Sequence, residues 1–165
     1  MFFRMKGSDM APPTKINDVA DWFINRVDRD SGETITHLKL QKLLYFAQAW
    51  HLANKGTELF EDEFQAWAHG PVARSVYDRF SGQAWDPLDV VEAGSKIPKK
   101  IDSYLEKVFE KYGMYGAKYL EKLTHEHDPW LNARGDLPKE ARCETIIPKT
   151  VMRDFYGDKI GKKYK

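Results

Sequence analysis

At 165 residues the chain is long enough for one domain with a real core and short for two. Its 26 Lys+Arg nearly cancel its 25 Asp+Glu, which argues against the global basic field of a nucleic-acid binder. Aromatics at 13% argue against disorder, and no apolar run approaches the roughly 20 residues needed to cross a bilayer. The single cysteine, Cys143, has no internal partner for a disulfide, which suits a reducing, cytoplasmic compartment.

The opening stretch MFFRMKGSDM carries a charge inside a very short apolar patch and does not read as a signal peptide. Residues 1–13 are expected to form a loosely held arm, residues 14–158 the domain, and residues 159–165 a frayed basic tail. From Lys15 to about Val27, the apolar residues Ile16, Val19, Ala20, Phe23 and Val27 keep helical spacing. Thr14 is placed to cap that helix, and Ser31-Gly32 forms the turn after it.

The second helix begins at Thr36 as N-cap. Leu40, Leu43, Leu44, Ala47 and Trp50 make its main face, while Leu38, Tyr45, Phe46 and Leu52 spread apolar surface around much of its girth. Such a helix belongs at the centre of a fold, touched by several neighbours. Gly56 suits the left-handed position that ends it.

Residues 59–68 contain Phe64, Ala66 and Ala68 on one parity, a strand signal. The β-branched Thr145–Ile147 segment is the best partner, giving a minimal two-stranded pairing. Gly70 permits close backbone approach, and Pro71 is pre-set for a first helical turn, so a third helix is expected directly after His69, carrying Val72, Val76 and Phe80. Residues 83–97 read as a loop. Pro98 opens a fourth helix that Gly113 stops. A fifth spans Met114 to Glu126 and breaks at Asp128-Pro129, after which Trp130-Leu131 returns to the core. The last begins at Pro148, with Val151, Met152 and Phe155 inward. The expected fold is mainly α: one compact domain of about six helices around a buried central helix, with the small β pairing.

Reactive constellations are sparse. His125 and His127 look like a metal pair in one dimension, but on a helix they point about 200° apart, whereas a zinc-type pair needs i, i+4 spacing. A helix-terminal role near the last carbonyls is the favoured reading, and no metal or cofactor is expected. Phosphate-binding glycine loops and nucleophile-elbow motifs are absent from the sequence, so catalysis is not expected. Lys39 and Lys42 fall on one side of the second helix and read as either a solvated face or part of an interface. His69 beside Gly70-Pro71 either bonds the loop or faces a partner. Trp67 and Trp85 lie in the least periodic segments, and are the tryptophans expected to show area to a partner.

Four blocks in order carry a family resemblance: Leu38–Trp50 (LKLQKLLYFAQAW), Phe64–Tyr77 with Gly70-Pro71-Val72, Thr124-His125-Glu126 with Pro129-Trp130, and Ile146–Phe155 (IIPKTVMRDF). The chain thereby resembles the Panacea antitoxin domain family of SocA-like, phage-associated proteins, over nearly its whole length. One departure is His37, where such proteins often have proline. The resemblance implies a helical module that binds and neutralises a cognate toxin protein encoded nearby, without catalysis; the alternatives are a protease adaptor or phage-encoded host modulator and, less favoured given the near-zero net charge, a DNA-binding regulator, and no membrane partner is expected. The interface candidates are Lys39, Lys42, Trp67, His69 and Tyr77. Thr36, Leu40, Leu44, Tyr45, Gly70, Pro71, Val72, Pro129 and Trp130 are expected to set the geometry.

Overall fold

The computed structural model of the chain describes residues 11–83, 85–94 and 96–164. Among them are seven α-helices and a three-stranded antiparallel sheet, in the order α1 (Ile16–Arg26), a 3-10 turn (Arg29–Ser31), α2 (His37–Lys55), β1 (Phe64–Trp67), β2 (Gly70–Val72), α3 (Arg74–Arg79), α4 (Lys99–Tyr112), α5 (Ala117–His125), α6 (Asp128–Arg134), β3 (Ile146–Ile147) and α7 (Lys149–Tyr164). The expected N-terminal arm lies mostly outside the described residues.

α2 is the axis of the fold. Thr36 caps it by accepting from the Lys39 N–H, and Gly56 ends it at φ +75°, with its N–H returned to the Leu52 carbonyl. Thirteen of its 19 residues are buried, Leu40, Leu44 and Tyr45 fully. The remaining helices close around it, α7 lying along it most extensively and α1, α4 and α5 covering other sides. Tyr156 of α7 packs against Tyr45 and Trp50, and Phe46 stacks on Tyr112 of α4 at 4.1 Å. α1 is fastened to α4 at its rim, where Trp22 Nε1 donates to Asp102 and Arg26 forks onto Glu106.

The sheet has the order β2-β1-β3, with Phe64 opposite Ile147 and Ala66 opposite Pro71. The β1–β3 pairing is the one expected from the sequence. The third strand is a correction. Pro71 does not open a helix; it sits in edge strand β2, where its missing N–H costs no ladder bond, and α3 starts only at Arg74.

Other expectations shift in the same way. Thr14 does not cap α1: Lys15 holds the cap position, while the Thr14 hydroxyl and N–H both go to the Leu59 carbonyl. α5 starts at Ala117, after Gly116, not at Met114. Asp128-Pro129 does not merely end α5; the proline falls in the first turn of the separate helix α6, where its ring fits. Trp130 returns to the core at 1% exposure, whereas Leu131 is exposed. The segment expected to fray from residue 159 continues α7 as helix to Tyr164.

Candidate interaction corner

The hairpin β1–β2 and the start of α3 form a corner of the molecule, and the way the interior holds it determines what it can do. α2 carries polar side chains that point inward. His37, Gln41 and Gln48 recur at four and seven residues, a spacing that stacks them on one helix face. Gln41 accepts from the Ala73 N–H at 2.9 Å and donates to the Ala73 carbonyl at 3.3 Å, and its amide also donates to His37 Nε2 at 3.0 Å. Gln48 repeats the device one segment earlier. It accepts from the Leu59 N–H at 2.6 Å and donates to the Phe60 carbonyl at 2.7 Å. Each glutamine therefore replaces a strand neighbour for backbone that has none, a requirement once such groups leave water.

The hairpin is gripped from α6 as well. Trp130 Nε1 donates to the Trp67 carbonyl at 2.8 Å. The buried Arg134 guanidinium donates to the Ala66 carbonyl at 2.9 Å and forks onto the carbonyls of Pro138, Lys139 and Ala141. It also lies over the Trp130 ring. Pro129, buried in the first turn of α6, helps set this approach.

Lys42 is the least expected member. It is 1% exposed, so it belongs to no solvated face. Its Nζ lies 3.5 Å from the Pro71 carbonyl, beneath β2. Removing an ammonium from water is costly, and burial pushes Lys42 down to about 8, with Glu121 partly restoring the charged form. The close fit explains Gly70: at φ +103°, a methyl there would stand 2.6 Å from Lys42 Cε and 3.0 Å from Thr124 Oγ1. Val72, also buried, completes the strand.

The outer side of the corner is aromatic. Trp67 and Tyr77 face each other at 4.7 Å, both half-buried, with the Arg74 guanidinium over the Trp67 ring. Tyr77 in turn touches His37, which is enclosed between Tyr77 and Phe80. Burial, with Lys42 nearby, holds His37 down to about 4, so its Nε2 is an acceptor for Gln41 at neutral pH. His69 stands at the hairpin turn with its side chain 63% exposed, Nδ1 3.3 Å from a Glu121 carboxylate oxygen of α5.

Of the five interface candidates from the sequence, the structure thus brings Trp67, His69 and Tyr77 to one corner. Lys39 is half-buried and donates to the Gly113 carbonyl, tying α2 to the end of α4. Lys42 is corrected from surface to core. Gln41 and Gln48, which in the sequence stand beside Lys39 and Lys42 as part of a polar face, are instead buried; Arg134 carries no signal in its local sequence, LNARGD. Among the described residues, no three His, Cys, Asp or Glu side chains converge as a metal site. His125 stacks on Trp130 at 4.0 Å, and His127 bonds the Tyr156 hydroxyl at 2.8 Å. No helix among the described residues is long and apolar enough to cross a membrane.

The hairpin corner and most of its supports lie inside a recognisable unit. Residues 40–131 match the family described as Antitoxin SocA-like, Panacea domain. The chain is also 51% identical to the Antitoxin SocA of Caulobacter vibrioides (strain NA1000 / CB15N), over 58% of each chain. It therefore spans a little over half the length of that relative. No solved structure matches the chain. With more than half of its residues inside the family's domain, the chain belongs to the Antitoxin SocA-like, Panacea domain family.

Proposed function

We propose that this protein is an antitoxin-like binding module that neutralises a toxin protein by covering a working surface of it. Family membership supports the class of role. The observation that carries the site is the hairpin corner. Its backbone is held by Gln41, Trp130 and Arg134, while Trp67, Tyr77 and His69 are turned outward. A pre-ordered corner loses little entropy on binding, and partly exposed aromatics beside an arginine are the side chains that anchor protein contacts. The chemistry is recognition: Gln41, Trp130 and Arg134 each hold backbone carbonyls or amides of the corner.

The test is co-expression with the product of the adjacent gene. That product should arrest growth alone, and this chain should restore growth and co-purify with it. Trp67→Ala together with His69→Ala should weaken the complex by about tenfold to a hundredfold while the variant stays folded. A product that is harmless alone, or one that stays toxic and unbound beside this chain, overturns the assignment.

A further inference from the structure

A second exposed cluster lies along α5, next to the hairpin corner. Among the described residues most large apolar side chains are buried, but Trp85 is 57% exposed, Met114 74% and Tyr119 44%. Trp85 lies against α5, and Met114 and Tyr119 belong to that helix and its lead-in. Lys118 Nζ sits 5.2 Å from the centre of the Trp85 ring, and the rings of Tyr119 and Tyr115 lie 4.4 Å apart, directly after Met114 in the chain. Leu120 and Thr124 take the inner side of α5, which turns Lys118, Tyr119 and Lys122 outward.

The two charges on the outermost face of α5, Lys118 and Lys122, share one sign. Among the described residues, Lys118 and Lys122 enter none of the ion pairs. The intervening acid of the helix, Glu121, is turned away: its side chain is only 18% exposed and engages His69. That same contact joins the strip to the hairpin corner, because His69 and Lys118 lie on either side of Glu121. Aromatic area flanked by ammonium groups outside any ion pair, continuous with an already ordered corner, fits an acidic polypeptide segment that brings one apolar side chain.

We infer that the partner-binding face extends from the hairpin corner along α5 to Trp85, and that it takes a carboxylate-rich segment of the partner protein with an apolar residue seated between Trp85 and Tyr119. This rests on the proposed binding role, and names the chemistry of the partner. Lys118 and Lys122 steer and pair with the carboxylates. Tyr119 and Met114 supply the area that slows dissociation.

The probe is the purified product of the adjacent gene, and the measurement is its affinity for the full chain at rising salt. Lys118→Glu with Lys122→Glu should weaken binding about tenfold at low salt and flatten the salt dependence. Tyr119→Ala with Met114→Ala should raise the dissociation rate with little change in association. Lys99→Glu with Lys100→Glu makes the same change in net charge at the far end of α4, about 20 Å along that helix, and should leave affinity within twofold. All six positions but Tyr119 and Met114 are exposed lysines, and circular dichroism checks that each variant is folded. Unchanged binding in both α5 variants overturns this face and leaves the binding role standing. An equal loss in the Lys99/Lys100 control reduces the effect to net charge and also overturns it. A product that does not bind the unaltered chain removes the binding role, and this face with it.

Discussion

Gly70→Ala is the sharpest test of how the hairpin is held. Two penalties combine at this position. At φ +103° an alanine is strained by about 1–2 kcal/mol. Its methyl would also stand 2.6 Å from Lys42 Cε and 3.0 Å from Thr124 Oγ1. A lysine end on a surface would swing aside at little cost. Lys42 is 1% exposed and has no such room, so forcing it over should add about 1–3 kcal/mol, as overpacking does elsewhere. The sum, about 2–5 kcal/mol, is a large part of the stability of an ordinary domain. Gly56→Ala is the control. It shares the positive φ, at +75°, but a methyl there meets nothing within 4 Å, so it should lose only the strain. Urea denaturation of both variants measures the difference. In a Lys42→Leu background the extra penalty at Gly70 should shrink toward that of Gly56. Equal losses for Gly70→Ala and Gly56→Ala would refute the claim that Lys42 is locked beneath the hairpin.

Gln48→Leu leaves the Leu59 N–H and the Phe60 carbonyl without the partners they have now, and should cost about 2–4 kcal/mol in a urea melt; a loss under 1 kcal/mol would mean the amide is dispensable. His37 is held down to about 4 by burial and by Lys42. The unfolded chain therefore takes up its proton first, so this contribution is complete above about pH 6.5 and is lost as pH falls toward 4. Up to about 3 kcal/mol is involved, and His37→Gln should flatten the fall between pH 6.5 and 4.5. Lys42, held near 8, has the same sign in a different window. Stability should rise from pH 8 toward 10 as the unfolded chain keeps its proton longer, and Lys42→Met should abolish that rise.

The parts of this fold that were legible in the sequence are those set by local chemistry. Thr36 and Gly56 bracket α2 because a hydroxyl cap and a left-handed glycine act within one turn. The apolar girth of α2 announced its central place. Segments whose state depends on distant neighbours were misread. Gly70-Pro71 carries the same letters whether it opens a helix or closes an edge strand, and the choice is made by pairing with Ala66 and by Lys42 beneath it. Lys42 itself read as a surface residue because a lysine on a helix usually reaches water; only the packing of β2 and α5 over it removes that route. Trp67 stands out in the sequence because its segment lacks periodicity, and His69 because it adjoins Gly70-Pro71. Trp85 stands out for the same reason as Trp67, whereas Lys118 and Tyr119 look like any wet helix face, and only the fold brings Lys118 against Trp85.

Gln41, Trp130 and Arg134 secure main-chain atoms, and main-chain atoms are the same whatever side chains they bear. The shape of the hairpin is thereby uncoupled from the letters displayed on its outside. Positions such as His69 can be rewritten without disturbing the carbonyls and amides that define the loop. For a protein engineer, this makes the corner a display site: a randomised library there should keep its melting behaviour nearly constant while its target preference drifts.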